Sequence, residues 1–333
     1  MKSKTLLQRA GELPSHSKKQ REQADDKARI KQLEKLLAEQ SAHIDRMRET
    51  RFKLSIGKRR GSSNKGGDFC RVIVPDTHGC FVDLPAITAF LNDIEEIQPA
   101  EIICLGDHLD CGGFLAQHQT LGYVAEAEYT FESDCAAANQ LFDEIQKRVP
   151  GARLDVLEGN HERRIEKWIV TQTLRNQKDA AFLRAMFAPE IVLHMKQRGI
   201  SYYNQGVFYD GLRLPATIKR GPCHYTHGEY CGQHAASQHL RKYGGCVVYA
   251  HTHRADSCII RTVSSGEIGA WNPGCLCSLQ RLWNHTNLTD WSHGYGLEFV
   301  RADQGFLHVN VPILDGVSHL SPLLRQISRR NSK

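Results

Sequence analysis

Short apolar runs alternate with longer amphipathic stretches through the middle of this chain. Residues 71–75, 101–105 and 154–157 are apolar runs of strand length. Residues 84–97 and 133–148 space their apolar positions at helical period, and further helix is expected from His161 and over 179–198. Strands alternating with helices predict parallel, right-handed β-α-β units. Beyond Gly199 the period shortens to that of strands, at 201–203, 207–209, 224–227, 246–250, 258–263, 297–300 and 306–311. Patterning alone therefore points to an α/β or α+β class and no finer answer.

A different period governs the N-terminal part. From Ile30 a seven-residue repeat places Ile30, Leu37, Ile44 and Arg51 on one seam position and Leu33, Gln40, Met47 and Leu54 on the other. Most of these are apolar, which predicts a coiled-coil-like helix over about 24–56. The seam could pair with a second copy or pack on the rest of the chain. Its narrow stripe, interrupted by Gln40 and Arg51, favours self-association, because polar seam residues set register and partner number. Residues 1–23 are mostly polar and are expected to stay unfolded. Residues 57–67 have linker composition, with a basic cluster at Lys58, Arg59 and Arg60. The expected organisation is an arm over 1–66, a main domain over 67–315 and a tail over 316–333.

Charge sharpens that division. Residues 1–66 hold 18 Lys+Arg against 8 Asp+Glu, whereas the remainder holds 25 against 29. The excess positive charge therefore sits entirely in the arm. A basic arm on a mildly acidic body can follow a nucleic-acid backbone, and it can equally be a solvated helix face. The eleven cysteines include no C-x-x-C pair and read as reduced thiols in a cytoplasm. No apolar run has membrane-spanning length, and Lys2 and Lys4 are not followed by the apolar stretch of a secretory signal. The expectation is a cytoplasmic protein without a membrane partner.

Five short polar motifs carry the chemistry. In order they are Asp76-Thr77-His78-Gly79, Gly106-Asp107-His108-Leu109-Asp110, Gly159-Asn160-His161-Glu162, His227-Gly228 and His251-Thr252-His253. The first three directly follow strand-like runs, and strand-end loops are where an α/β sheet presents polar groups. Asp, His and Asn together offer the oxygen and imidazole ligands that suit manganese, iron and zinc. On an extended strand end, the rings of His251 and His253 would point to the same side.

Taken together, the five motifs resemble the pattern of the calcineurin-like metallophosphoesterases, departing only at Ala250, where that family usually has Gly. The resemblance implies a four-layer α/β/β/α sandwich, here with an N-terminal helical arm, and two divalent metal ions, manganese first and iron or zinc as alternatives. It implies that Asp107 bridges the ions. Asp76, His78 and His253 would complete one site, and Asn160, His227 and His251 the other. His224, three residues before His227, competes for its role. His161 resembles the family's non-ligand histidine, which serves the leaving oxygen, and Asp110 the carboxylate that orients it.

The substrate is less legible. The protein phosphatases of this superfamily carry Arg-Gly after the second motif, where this chain has Cys111-Gly112. Arg163 and Arg164 offer phosphate contacts, and His108 stands where an apolar residue is usual. Residues 283–295 are rich in aromatic and His side chains, which suit either a base-stacking rim or a core-capping loop. Residues 68–315 also resemble phosphoesterases encoded by bacteriophages and prophages, some of them similar to DNA-repair exonucleases. That likeness implies a phosphodiesterase acting on nucleic acid in a bacterial cytoplasm. A phosphomonoesterase and an inactive scaffold recruiting partners through its arm are the alternatives.

Overall fold

The computed structural model describes residues 67–112, 115, 130–173, 178–204, 208–209, 212–213, 215–280 and 288–320, together with 27, 31 and 35. The chain divides into two compact units, Met1–Ile56 and Gly57–Lys333. In the first, Lys27, Lys31 and Lys35 are helical and exposed, four residues apart and so on one helix face. The heptad seam from Ile30 to Leu54, the linker and most of the C-terminal tail lie outside the described residues. Among the described residues no helix is long and apolar enough to cross a membrane.

Two mixed sheets build the second unit. β1 (Phe69–Val74), β2 (Glu101–Cys104), β3 (Arg153–Leu157) and β4 (Ser201–Tyr203) run parallel in succession. On the other side of β1 stand β12 (Gly294–Val300), β13 (Phe306–Leu314) and β14 (Val317–Ser318), all paired antiparallel. The resulting seven-stranded order is β14-β13-β12-β1-β2-β3-β4. β5 (Phe208–Tyr209) and β6 (Leu212–Arg213) form a small separate hairpin. A five-stranded sheet holds β7 (Thr217–Arg220), β8 (Cys223–Thr226), β9 (Cys246–Val248), β10 (Ala255–Thr262) and β11 (Gly266–Pro273), in the order β10-β11-β9-β8-β7.

Strand alternation sorts the apolar residues into two cores. Val72, Val74, Ile102, Cys104, Leu154 and Val156 face one way, onto helices α1 (Leu84–Ile97) and α2 (Phe131–Arg148). Ile73, Ile103, Leu105 and Leu157 face the other way and join Ile218, Tyr225 and Val248 of the second sheet. Tyr225 points inward, donating its hydroxyl to Glu298 Oε2 at 2.6 Å and accepting from Arg71 Nη1 at 2.8 Å. Its neighbour His224 lies on the opposite face, against Tyr243 of α7 (Ala235–Tyr243). The layers are therefore helix, sheet, sheet, helix, the four-layer α/β sandwich expected above.

Local chemistry sets the helix ends. Asp83 caps α1 by accepting the Ala86 amide at 2.9 Å, and Pro85 occupies the first turn, where its missing N–H costs nothing. Thr130 and Ser133 form a reciprocal capping box at the start of α2.

The helix expected from His161 is α3 (Arg163–Thr173), and the stretch read as helix over 179–198 is broken into α4 (Lys178–Phe187), α5 (Pro189–Val192) and α6 (Met195–Arg198). Pro189 opens α5, and a left-handed His194 separates α5 from α6. β7, β11 and α7 were not expected from patterning. Beyond residue 315, β14 pairs with the end of β13, and Ser318 bonds the buried Asp93.

Candidate metal centre

Parallel strands bring their C-terminal ends to one edge of a sheet, which is where β1, β2 and β3 deliver the first three motifs. The loops are tied directly together. Thr77 and His78 donate their amides to Asp107 O at 3.1 and 2.9 Å, and Gly79 donates to His108 O at 2.9 Å. Glycine is required where the second and third loops touch. A Cβ on Gly106, whose φ is +104°, would lie 2.5 Å from Gly159 N, and one on Gly159 would lie 2.0 Å from Asp107 Oδ1. The second sheet contributes His227 just after β8, and His251 and His253 just after β9.

Backbone strain concentrates here. His78, Asp107, His251 and His253 have φ of 52°, 52°, 72° and 56°, a left-handed conformation that side chains with a Cβ adopt rarely. His251 and His253 thus do not continue an extended strand, as their alternation suggested. The turned backbone sends them to different partners instead of one shared side.

Asp76, His78 and His253 converge. Asp76 Oδ2 lies 2.6 Å from His253 Nε2 and 3.9 Å from His78 Nε2, and the two Nε2 atoms are 3.0 Å apart. His78 Nδ1 lies 3.0 Å from Asp110 Oδ1 and donates to that carboxylate, which leaves a lone pair on Nε2. A second group forms around Asp107, whose Oδ2 is 3.2 Å from His227 Nε2. Asn160 Oδ1 is 2.8 Å from the same nitrogen, and His251 packs edge-on against the His227 ring at 5.1 Å. His227 Nδ1 donates to Leu105 O at 3.2 Å, which aims its Nε2 at the oxygens of Asp107 and Asn160. Of the two competing histidines the structure brings His227 to the site, while His224 stays against Tyr243.

Among the described residues, donor atoms of Asp76, His78 and Asp107 lie within 4.8 Å of one another, and so do those of Asp107, His227 and His251. Asp107 belongs to both groups. Burial opposes charge on Asp76, yet His253 and His227 beside it pull its pKa down to about 2. Asp107 is held well below the usual carboxylate range against the same burial, chiefly by His227 and His161. Burial would lower His227, and Asp107 and Asp76 raise it to about 9. Asp76 Oδ2 and His253 Nδ1 are buried without a hydrogen-bond partner. Two buried carboxylates are costly without compensating positive charge, and the donor set fits divalent metal ions.

His161 stands beside this assembly. Its Nδ1 donates to the backbone carbonyl of Asp110 at 2.6 Å, and its Nε2 accepts from Arg164 Nη2 at 2.9 Å. The Asp110 carboxylate is 3.6 Å away and is engaged by His78. Asp110 therefore holds His161 chiefly through its main chain, a different contact from the carboxylate dyad implied by resemblance. Burial keeps the His161 ring neutral, with a pKa lowered to about 3.

The remaining expected residues divide. Arg164 is buried and donates through Nη1 to Asp110 O at 3.1 Å, whereas Arg163 is exposed at the start of α3. His108 is 1% exposed, bonded to Thr77 Oγ1 and packed edge-on against Phe142 of the core. The structure places it behind the loop, within the packing, and not with the groups that face the metal donors.

Patterning missed three side chains. Glu162 accepts the amides of Asp107, His108, Leu109 and Gly159 at 2.9, 2.6, 2.9 and 3.0 Å. Asp134, from α2, accepts those of Cys80, Asp110 and Cys111. The thiol of Cys277 lies within 4.8 Å of the His78 and His253 donors. The place of Glu162 as the last residue of the third motif was the only available signal for any of them.

No protein-family model matches the chain, and no curated protein matches it. Solved structures do. Vacuolar protein sorting 29 from Cryptosporidium parvum has 11% identity and a TM-score of 0.40, covering 76% of this chain and 95% of that one. Vps29 from Chaetomium thermophilum has 11% identity and a TM-score of 0.35, covering 75% and 90%. YfcE, a phosphoesterase from E. coli, has 15% identity and a TM-score of 0.27, covering 72% and 98%.

Proposed function

We propose that this chain hydrolyses phosphate esters with two divalent cations held between its sheets, and that its substrate is a nucleic-acid phosphodiester. The observation that carries the reading is the position of Asp107. Its buried carboxylate belongs both to the Asp76–His78 donor group and to the His227–His251 group. A single carboxylate can reach two ions, which an imidazole ordinarily does not. Asp76, His78 and His253 would hold one cation, and Asn160, His227 and His251 the other. Such ions, when bound, neutralise phosphoryl oxygens and lower the pKa of water.

The chain's own groups supply the rest. His78 is fixed by its Nδ1–H to Asp110, so its Nε2 stays turned to the donor group. Asp107 is held in its left-handed conformation by Glu162 behind it. Arg164 keeps His161 Nε2 at the edge of the site. An arriving phosphate oxygen favours a proton on that nitrogen and also accepts from Arg164. The pair then stabilises charge on the leaving oxygen.

The preference for nucleic acid rests on the positive balance of residues 1–66. It is tested with a chromogenic bis-aryl phosphodiester and the matching monoester, in Mn²⁺ or Zn²⁺, together with DNA binding across a salt series. Hydrolysis of the diester, lost in Asp107→Asn, and binding that weakens steeply with salt are expected. Monoester hydrolysis alone would replace the diesterase reading by a phosphomonoesterase. Hydrolysis of neither would remove the catalytic reading, and DNA binding indifferent to salt would make the arm an ordinary solvated face.

A further inference from the structure

The segment carrying Cys275 and Cys277 is pinned beside the first motif. Cys275 bridges to Asp76 in parallel register, and Val82 to Cys277 in antiparallel register. Leu276 donates its amide to Asp76 O at 2.8 Å, and its carbonyl accepts from Asp83 N at 2.9 Å. His293 Nε2 donates to the Cys277 carbonyl at 2.9 Å. These bonds fix a fully buried thiol next to the loop that bears Asp76 and His78. The donor atoms of His78, His253 and Cys277 all lie within 4.8 Å of one another, and all three residues are buried.

A second observation points to a ligand in the same place. Asp76 Oδ2 is completely buried and has no hydrogen-bond partner, although it is 2.6 Å from His253 Nε2. The Nε2 atoms of His78 and His253 face each other at 3.0 Å. Around a zinc ion, bonds of ~2.0–2.3 Å place neighbouring ligand atoms roughly 3–4 Å apart. The carboxylate and the two imidazoles, at 2.6, 3.0 and 3.9 Å, are already near that spacing, and the thiol lies within 4.8 Å of both histidine donors.

We propose that Cys277 is a sulfur ligand of the metal position formed by Asp76, His78 and His253. Thiolate among imidazole and carboxylate ligands selects a borderline-soft cation, zinc or ferrous iron, over manganese. The two metal positions then differ in kind. The Asp107–Asn160–His227–His251 position keeps only oxygen and nitrogen donors and stays open to manganese. This inference rests on the metal-binding reading above but asks a separate question about which atoms bind.

The test loads the full chain with Co²⁺ and records its near-ultraviolet spectrum, where sulfur ligation produces a charge-transfer band. The band is expected in the natural chain, lost in Cys277→Ser and retained in Cys275→Ser, the neighbouring buried thiol. The ratio of zinc to manganese affinity is expected to fall by ~10-fold or more in Cys277→Ser. Zinc-edge absorption on the natural chain, which needs no variant to fold, should show sulfur bound at ~2.3 Å. Stoichiometric cobalt without the band, zinc bound by nitrogen and oxygen alone, or a band surviving in Cys277→Ser would each overturn the assignment and leave the metal reading standing. Failure to bind cobalt or zinc at all would overturn both.

Discussion

The carboxylate of Glu162 accepts the backbone amide of Asp107 at 2.9 Å, so the third motif holds the second in shape from behind. The same carboxylate takes the amides of His108, Leu109 and Gly159. Removing one buried acceptor strands several donors, each worth ~1–3 kcal/mol when left unsatisfied and not additive. Glu162→Ala is therefore predicted to lose ~2–4 kcal/mol of stability. Glu162→Gln, which keeps one acceptor oxygen, should fall between. Urea unfolding midpoints measure this, and an unchanged midpoint for Glu162→Ala would show that the loop holds itself.

Metal content is the second expected outcome. The full chain supplied with excess Zn²⁺ or Mn²⁺ should carry about two ions, given two donor groups that share one carboxylate. Asp107→Asn should bind one or none. Because ions bind the folded chain, a chelator should lower its thermal midpoint, corresponding to ~2.7 kcal/mol if the metal had been present at a hundred times its Kd. Elemental analysis finding at most one ion, unchanged in Asp107→Asn, would contradict the two-site reading.

How much of this could be read from sequence depends on where each signal lies along the chain. α1 was legible to the residue because Ala86, Ile87, Phe90, Leu91 and Ile94 bury one continuous helical stripe. α7 was not, because its buried set of Ala235, Ala236, His239 and Leu240 contains two small residues and a histidine. β11 was hidden by Gly266, Gly269 and Asn272, which interrupt the alternation. The candidate donors could be picked out because each sits in a short motif at a strand end. Cys277 is brought beside His78 and His253 by long-range pairing of its segment with Asp76 and Val82, contacts that no local pattern encodes. The turn at His251 and His253 was equally invisible, since left-handed backbone there is imposed by the surrounding structure.

Binding and chemistry should separate at His161. His161→Ala is predicted to keep both ions yet lose ~10²-fold or more in turnover of a small phosphate ester, as general acid–base groups do. Arg164→Met should lower turnover in the same direction and raise KM, since it removes a donor to phosphate oxygens as well as the bond to His161. Arg164→Lys should not rescue it, because an ammonium cannot span Asp110 O and His161 Nε2 as the guanidinium does. Release of metal by His161→Ala would make that ring a ligand and not a partner of the leaving group.

The last prediction concerns acid stability and lies away from the metal donors. Glu298 is buried between the sheets. Its Oε1 is 3.0 Å from His308 Nδ1, and its Oε2 accepts from Arg71 Nη1 at 3.0 Å and from the Tyr225 hydroxyl at 2.6 Å. Burial opposes its charge, but His308, Arg71 and Tyr225 together bring its pKa below the ordinary glutamate value. A carboxylate depressed in the fold contributes stability above its unfolded pKa and loses it as pH falls through the folded value. Glu298→Gln should thus cost ~3 kcal/mol near pH 7, where it leaves Arg71 with a broken buried pair. Arg71 keeps Glu101, bonded at 2.8 Å, which limits the loss. From about pH 4.3 downward the unfolded glutamate takes up its proton before the depressed folded one does, so the gap between the two chains should narrow there. Chemical unfolding of both at pH 7, 5 and 3.5 measures it. A gap that stayed constant with pH would show that Glu298 acts through packing alone, with no part played by its charge.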